Sequence, residues 1–322
     1  MPSMATFSEL VLSCLDAAGA RSVAEVGAYR GELTSTLLDW AADREGSSVV
    51  AVDPKPAPEL AELARRRPEL DLIETTSHAA LRAIDVPDAV IVDGDHNYFT
   101  VSGELEIIDE RVAGRALPLL LFHDVAWPHA RRDSYYEPER IPDQHRRPLA
   151  RDLVVAPGEP GAAESGLTLG WAAEREGGPR NGVLTAIEDF VSSRDGLRLA
   201  VIPIFSGFGA VWSDSAPWAG EISRLLDPWD RNPILDRLEA ERLDYLIKRR
   251  RTHEQLVAIR DGRDELRREL EALRERAAEQ EQLLREILGS RAFGAVSRLS
   301  SLGGGSAVSR QRVQRALGEP ES

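Results

Sequence analysis

The sequence has only one cysteine among its 322 residues and no long apolar run. Cys14 alone cannot form an intrachain disulfide, which favours a reducing compartment. No stretch approaches the roughly 20 apolar residues that a membrane-spanning helix needs. The first residues, MPSMATFSEL, also lack the basic region and apolar run of a signal peptide. We therefore expect a cytoplasmic protein without a membrane span.

Positive charge is scarce as well. The chain has 40 Lys and Arg residues against 54 Asp and Glu residues, which gives a formal net charge of -14. Acidic and basic residues balance over 231–290 and the segment 291–322 is basic, so the acidic excess lies in residues 1–230. A body this acidic would repel a phosphate backbone. The composition therefore argues against nucleic acid as a partner.

Residues 1–125 alternate between helix-like segments and short apolar segments rich in β-branched residues, typical of strands buried on both faces. The apolar segments are 22–27, 48–53, 70–75, 88–93 and 117–124. This rhythm predicts a doubly wound parallel sheet. Two further strands, 197–204 and 207–213, are separated by a tight turn, which predicts an antiparallel edge pair. The expected fold class is α/β, a seven-stranded, mostly parallel Rossmann-like sheet with an antiparallel last strand.

We expect the α/β sheet and its helices to form one domain over residues 1–230. A long segment inside this domain interrupts the alternation of strands and helices. Residues 126–180 are rich in Pro, Arg, Tyr and Gly and are too long for an ordinary connection. They therefore indicate a functional insertion or lid.

The composition changes again over 234–290, where a 3-4 heptad register is filled mainly by apolar residues, with Arg263 and Gln280 as exceptions. The apolar positions are Leu256, Ile259, Leu266, Leu270, Leu273, Ala277, Leu284 and Ile287. This pattern predicts a C-terminal α-helical coiled coil that makes a homo-oligomer, with a lone solvated helix as the alternative. The polar, Gly/Ser-rich segment 291–322 predicts a flexible tail.

The first two predicted strands end in candidate ligand-binding residues. The first runs into Glu25, Gly27 and Gly31, where glycine permits a sharp turn and lets a helix start close to a ligand. The G-x-G-x-x-G pattern of nicotinamide-binding folds is not matched, because Tyr29 replaces the middle glycine. Asp53 ends the second strand, where a carboxylate either holds both hydroxyls of a ribose or closes a turn.

The third predicted strand is followed by Ser77 and His78, which either border an adenine or cap a helix, capping being the better interpretation of Ser77 alone. All these residues lie at the carboxyl edge of the sheet, where ligands bind in open α/β folds. The combination resembles the class I S-adenosylmethionine-dependent methyltransferases over residues 20–215, and the closing hairpin is a mark of that family. The resemblance implies S-adenosyl-L-methionine as cofactor, with the glycine loop against its amino-acid part and Asp53 on its ribose.

The fourth and fifth strands end in VDGDHNYFTV and LLLFHDVAWP. These stretches look like a subgroup of small-molecule and sugar O-methyltransferases with Asp-Gly-Asp-His and His-Asp strand ends. Carried over by position, Asp93 and Asp124 become candidate ligands of a divalent cation such as Mg²⁺, with Asp93 also beside the cofactor. His123 stands where some relatives have an acid.

Methyl transfer requires an acceptor oxygen aligned with the sulfonium methyl and a group that removes its proton. His96 or His123 is a candidate base, because a neutral imidazole is available near neutral pH. A cation held by Asp93 and Asp124 would instead stabilise the alkoxide. A structural hydrogen bond beside a helix start is the alternative for His96.

The insertion carries aromatic and Arg side chains that suit a lid over a sugar. The candidate substrate residues are Trp127, Arg131, Arg132, Tyr135 and Tyr136. An ordered surface loop held by salt bridges is the alternative. We interpret His129 and His145 as surface histidines.

The leading hypothesis is an S-adenosylmethionine-dependent O-methyltransferase that acts on a hydroxyl of a sugar, glycan or secondary metabolite. One alternative is a metal-dependent hydrolase that uses the Asp/His cluster, which would leave the glycine loop and Asp53 without a role. The other is a non-catalytic coiled-coil assembly protein whose α/β body binds a ligand.

Overall fold

The computed structural model describes residues 3–292 and residue 295. The chain divides into two compact units, Met1–Arg251 and Thr252–Ser322. The predicted tail at 291–322 lies outside the described residues, apart from 291, 292 and 295. No helix in the described part combines the length and the apolar character that crossing a membrane would require.

The described residues contain ten strands: β1 (Ser22–Val26), β2 (Ser48–Val52), β3 (Leu70–Ile73), β4 (Ala89–Val92), β5 (Leu119–His123), β6 (Ser134–Tyr135), β7 (Leu149–Val155), β8 (Leu167–Ala173), β9 (Leu197–Ile202) and β10 (Phe208–Ser213). Seven of them form one sheet in the order β3-β2-β1-β4-β5-β10-β9. Strands β1 to β5 are parallel, whereas β10 is antiparallel to both of its neighbours. The predicted seven-stranded α/β sheet with an antiparallel closing strand is thereby confirmed.

Eight α-helices are described: α1 (Ser8–Ala18), α2 (Glu32–Ala42), α3 (Pro58–Arg66), α4 (Ser77–Ala83), α5 (Tyr98–Val112), α6 (Val183–Ser192), α7 (Ala219–Leu226) and α8 (Pro233–Gly289). The helices cover both faces of the sheet, with α1, α2, α3 and α7 on one face and α4, α5 and α6 on the other. Each face of the sheet has its own apolar core. Every residue of β4 and β5 is buried, which explains their continuous apolar runs. Cys14 lies in one core, where burial raises the pKa of its thiol to about 12.

The insertion after β5 has regular structure of its own. Strands β6, β8 and β7 form a three-stranded antiparallel sheet. Leu153, Val155, Leu169 and Ala172 bury a small apolar core beside it. The insertion is therefore a folded accessory layer.

The first turns of α8 belong to the first unit, which ends at Arg251. The change in composition predicted that the domain ends at residue 230, whereas this unit continues to Arg251. Glu239 and Leu243 are buried against the rest of the unit, so the first turns of α8 are part of its fold. From Leu256 onward the large apolar side chains of the predicted heptad seam are exposed in the described chain.

We propose that this exposed seam joins copies of the chain, and removal of residues 252–322 should then lower the oligomeric state while the first unit stays folded. Light scattering measures the mass, and circular dichroism measures the fold. Replacing both Leu266 and Leu273 with Glu should have the same effect on mass, because charge at seam positions opposes association. Glu275→Gln, off the seam, is the matched control. If the number of chains per particle, obtained from that mass, is unchanged after the deletion, the coiled coil is rejected.

Candidate active site

The carboxyl ends of the parallel strands surround one cavity of about 920 Å³. Its wall includes most of the predicted cofactor and catalytic residues. They are Glu25, Gly27, Asp53, Ser77, His78, Asp93, His96, His123 and Asp124. Side chains that follow five different strands therefore meet at one edge, as expected of an open α/β sheet.

Gly27 follows β1 and has φ +88. A Cβ at this position would lie 2.2 Å from the backbone oxygen of Asp93 and 2.6 Å from the Cα of Gly94. Both obstacles are backbone atoms, so they cannot rotate away. Only glycine lets the ends of β1 and β4 approach this closely.

Gly31 has a different role from the one predicted beside a ligand. It is not in the cavity wall. A Cβ on Gly31, where φ is +79, would contact the side chains of Leu60 and Leu63 at 3.0 and 3.1 Å. Gly31 thus lets the start of α2 pack against α3.

Glu25 is a buried acid in the cavity wall, with 4% of its surface exposed. Its carboxyl accepts a hydrogen bond of 2.6 Å from the Thr34 hydroxyl. Burial, with smaller contributions from the charges of Asp93 and Asp53, raises the pKa of Glu25 to about 8. Glu25 is therefore largely protonated at neutral pH when no ligand is present.

Asp53 closes the turn after β2, where it is 7% exposed. One carboxylate oxygen accepts from the Tyr29 amide at 2.9 Å, and the other accepts from the Lys55 amide at 2.7 Å. Asp53 therefore ties the loop after β1 to the loop after β2. It both closes a turn and lines the cavity, so the two interpretations of this residue are compatible.

The third strand end contributes Ser77 and His78. The N-cap of α4 is Thr76, and Ser77 is already the first helical residue, so Ser77 does not cap the helix. His78 packs on the Phe99 ring, with 5.9 Å between centroids, and its Nε2 is 2.8 Å from the Thr100 carbonyl oxygen.

Asp93, His96, His123 and Asp124 form one hydrogen-bonded group, which we call the acid–imidazole cluster. His123 Nδ1 lies 3.1 Å from a carboxylate oxygen of Asp93 and 3.1 Å from one of Asp124. His96 Nδ1 lies 2.9 Å from the same Asp124 oxygen. Asp124 has φ +61, a strained conformation for a non-glycine residue and one that clusters at functional sites.

The remaining ring nitrogens of the cluster are also paired. His96 Nε2 lies 3.1 Å from the Tyr136 hydroxyl, and His123 Nε2 lies 3.1 Å from the carbonyl oxygen of Phe205. A carbonyl only accepts, so His123 carries a proton on Nε2 and turns Nδ1 towards the carboxylates.

Charge inside the cluster is strongly coupled. Burial lowers the pKa of His123, but hydrogen bonds to Asp124 and Asp93 outweigh it and raise the pKa to about 10. Burial likewise opposes the charge of Asp124, yet the nearby His96 charge and the hydrogen bonds from His123 and His96 hold its pKa well below the usual range. For His96, the Asp124 charge outweighs burial and raises the pKa. Both predicted bases are therefore protonated in the ligand-free protein.

The cluster also contains the donors that a divalent cation needs. One ligand atom each of Asp93, His123 and Asp124 lies within 4.8 Å of the others. The hydrogen bond from His123 Nε2 to a backbone carbonyl is the usual support of a metal-ligating imidazole. These residues fit a cation once Nδ1 has lost its proton.

His129, interpreted from the sequence as a surface residue, is 2% exposed and lines the cavity. Its ring stacks on His96 at 4.6 Å between centroids. Neither ring nitrogen has a hydrogen-bond partner among the described residues. Burial lowers the pKa of His129 to about 3, so this imidazole is neutral. No periodic pattern marks His129, because it lies in irregular chain between β5 and β6.

Of the five predicted substrate residues, only Tyr136 lines the cavity, and it is 72% exposed. Arg132 is fully buried and donates to the carbonyl oxygens of Ala173 and Pro160 at 2.6 and 3.0 Å, so it supports the insertion instead of meeting a substrate.

The other three also face elsewhere. Arg131 pairs with Glu188 on α6 at 2.6 Å. Tyr135 donates to Asp133 at 3.0 Å. Trp127 borders a separate hollow against α8. The rim instead contains residues that the sequence did not single out: Tyr29, Arg30, Lys55, Glu137, Arg140 and Ile141.

One protein-family model matches the part of the chain that forms this edge. Residues 24–125 match the family model described as a methyltransferase domain. The match covers β1 to β5 and hence the strand ends that carry Gly27, Asp53, Asp93 and Asp124. It confirms the predicted methyltransferase. No curated protein sequence matches the chain.

Solved structures with a similar chain trace include several methyltransferases. The S-adenosylhomocysteine-bound methyltransferase PaMTH1 of Podospora anserina is 15% identical, covers 66% of this chain and 80% of its own, and has a TM-score of 0.40. The O-methyltransferase TomG of Streptomyces achromogenes, involved in tomaymycin synthesis, is 11% identical over 65% of this chain and 79% of its own, with a TM-score of 0.40. An O-methyltransferase of Bacillus cereus is 14% identical over 66% of this chain and 81% of its own, with a TM-score of 0.38.

Gly27→Ala should destabilise the protein severely, because the new methyl group meets the backbone of Asp93 and Gly94. Gly46→Ala is the matched control, since Gly46 has φ +77 and open space around its Cβ position. The control should lose about 1–2 kcal/mol from the unfavourable φ alone. Gly27→Ala should lose at least about 2 kcal/mol more, measured by urea unfolding. Equal losses would show that the close approach imposes no constraint.

Stability should depend on pH through Glu25. The folded protein binds the Glu25 proton more tightly than the unfolded chain, since the pKa rises from 4.5 to about 8 on folding. The free energy of unfolding therefore falls as pH rises through this window. Between about pH 5 and about pH 8.5, the free energy of unfolding of Glu25→Gln should fall less than that of the wild type, as measured by urea unfolding. Glu9→Gln, on the exposed side of α1, should follow the wild type; a Glu25→Gln curve parallel to both would contradict the buried acid.

Proposed function

We propose that this chain is an S-adenosylmethionine-dependent O-methyltransferase. The observation that carries the proposal is that the Gly27 turn, Asp53 and the acid–imidazole cluster line a single cavity. A hydrolase would use the cluster alone and leave the Gly27 turn and Asp53 unexplained. Methyl transfer gives a role to every one of these features.

The cavity wall fits the donor molecule. The turn at Gly27 lines the cavity beside Glu25, and the amino-acid part of the donor would lie against this turn. Each Asp53 oxygen keeps a free lone pair beyond its amide contact and can accept from one hydroxyl of the ribose. Ser77 and His78 border the space next to it, where the adenine would lie.

The reaction is an in-line displacement in which the acceptor oxygen forms a bond to the methyl carbon. The carbon–sulfur bond breaks, and its electron pair stays on sulfur. Asp93 accepts the hydroxyl proton, since it is only half-buried and borders the cavity. His96 and His123, which the neighbouring carboxylates keep protonated, place positive charge beside the developing oxyanion. A divalent cation on Asp93, His123 and Asp124 would supply the same polarisation of the acceptor oxygen.

The acceptor we propose is a hydroxyl of a sugar, glycan or secondary metabolite. Tyr136 supports this choice, because its exposed ring stands at the rim beside His96 and offers a stacking surface. Lys55 pairs with Glu137 at the rim, so the insertion is tied to the loop after β2 at the mouth of the cavity.

Two substitutions should separate donor binding from chemistry. Asp53→Asn should weaken S-adenosylhomocysteine binding by about 10- to 100-fold, because a charged hydrogen-bond acceptor for the ribose is lost. Asp93→Asn should lower kcat by about 10²- to 10⁴-fold while the affinity for S-adenosylhomocysteine changes only a few-fold. Isothermal titration measures binding, and release of S-adenosylhomocysteine with a panel of sugar and phenolic acceptors measures turnover.

Asp88→Asn is the control for both. Asp88 also accepts from two backbone amides, those of Arg21 and Ser22, but it stands before β4, at the opposite edge of the sheet from the cavity. Wild-type protein that does not bind S-adenosylhomocysteine would overturn the proposal. Equal loss of binding and turnover in Asp93→Asn would make Asp93 a cofactor residue only.

A further inference from the structure

The turn between β9 and β10 is strained and lies next to the cluster. Phe205 and Ser206 have φ values of 54 and 70, in the left-handed region that is unfavourable for residues other than glycine. Gly207 follows with φ +96, and a Cβ there would lie 2.5 Å from the backbone nitrogen of Ala126. The turn is therefore pressed against the chain that leaves Asp124, and two strained residues need external support.

This turn fixes the cluster on both sides of Asp124. The carbonyl oxygen of Phe205 accepts from His123 Nε2 at 3.1 Å. The carbonyl oxygen of Ser206 accepts from the Ala126 amide at 2.7 Å. The first contact decides which nitrogen of His123 faces the carboxylates, and the second anchors the backbone just after Asp124.

The support comes from Glu239, a residue of the long helix α8. Its carboxylate accepts from the amide of Phe205 at 3.0 Å and from that of Ser206 at 3.4 Å. It is 5% exposed. Arg242 donates to both of its oxygens at 2.6 Å, and its guanidinium lies 5.4 Å from the Phe205 ring centroid. Such a bidentate pair keeps a buried carboxylate charged and in one orientation.

We infer that Glu239 is a positioning residue for methyl transfer: through the Phe205–Ser206 turn it orients His123 within the acid–imidazole cluster. The inference rests on the proposed function. The path has three steps, from the Glu239 carboxylate to two backbone amides, from the Phe205 carbonyl to His123 Nε2, and from His123 Nδ1 to Asp93 and Asp124. Each step is a hydrogen bond within the first unit of the chain.

The consequence follows from the geometry that catalysis requires. Without Glu239 the two turn amides lose their acceptor, and the left-handed conformations of Phe205 and Ser206 lose what holds them. The Phe205 carbonyl then no longer fixes the His123 ring. A displacement of about 1 Å in a catalytic group costs on the order of 10²-fold in rate. On the other side of the cavity, the hydrogen bonds given for Gly27 and Asp53 in the described chain go to residues other than those of this turn.

The test compares Glu239→Gln and Glu239→Ala with Glu241→Ala in the full-length chain. Glu241 lies on the same helix but is exposed, and it pairs with Arg237 at 3.2 Å. Glu239→Ala should lower kcat by about 10- to 100-fold, with S-adenosylhomocysteine affinity within about threefold of wild type. Glu239→Gln keeps one oxygen acceptor, so its kcat should lie between those of Glu239→Ala and the wild type. Glu241→Ala should match the wild type. An unchanged kcat in Glu239→Ala, or a loss of affinity equal to the loss of kcat, would overturn the inference.

A second measurement does not depend on turnover. In ¹⁵N-histidine-labelled protein the Nε2–H signal of His123, assigned with a His123→Gln variant, should be protected from exchange in the wild type and in Glu241→Ala. It should lose that protection in Glu239→Ala, and partly in Glu239→Gln. If the signal is the same in all variants, the inference is wrong. If the wild type binds no S-adenosylhomocysteine, the proposed function fails, while this signal still decides whether Glu239 orients His123.

Discussion

The close approach of the Gly27 turn to the backbone of Asp93 is the constraint on which the cavity depends. Strands β1 and β4 are neighbours, yet the helices that follow them, α2 and α5, pack on opposite faces of the sheet. A crevice opens between two such strands, and ligands of open α/β sheets bind there. Because Gly27 has no side chain, its turn and Asp93, the first acid of the cluster, border the same space. A larger residue would push apart the two halves of the site that methyl transfer must bring together.

The electrostatics of the cavity follow from the same proximity. Asp124 stays ionised because the charge of His96 and the hydrogen bonds from His123 and His96 oppose the cost of burial. Glu25 has no cation beside it, only the carboxylates of Asp93 and Asp53, so burial raises its pKa to about 8. A sulfonium donor carries a positive charge and would favour the ionised form of Glu25. The acidic wall is thus suited to the charged donor, and loss of that charge on methyl transfer weakens the attraction to the product.

The parts of the site that could be predicted from the sequence are those fixed by the sheet. Apolar β-branched runs located β1 to β5, and parallel strands necessarily bring their carboxyl ends to one edge, so the sequence alone was enough to group Glu25, Asp53 and Asp93. In the insertion, no comparable rule predicts which side chains reach the cavity. Arg132 and Tyr136 are only four residues apart, yet Arg132 is buried against backbone carbonyls of the insertion and Tyr136 is exposed at the rim. Without a repeating pattern, nothing in the sequence indicates which way such side chains point.

The change in composition near residue 230 does not coincide with the end of the first compact unit, which lies at Arg251 within the long helix. Helical periodicity and a dense charge pattern begin near residue 234, and they describe the helix correctly, since α8 starts at Pro233. They do not reveal that Glu239 meets the Phe205–Ser206 turn, because a carboxylate in a charged helix looks the same whether it faces water or backbone amides. Its partners lie 33 and 34 residues earlier in the chain. The same helix is therefore a structural part of the catalytic unit over its first turns and an exposed apolar seam beyond Arg251. A boundary drawn where the composition changes would separate the fold from a residue that supports the strained Phe205–Ser206 turn.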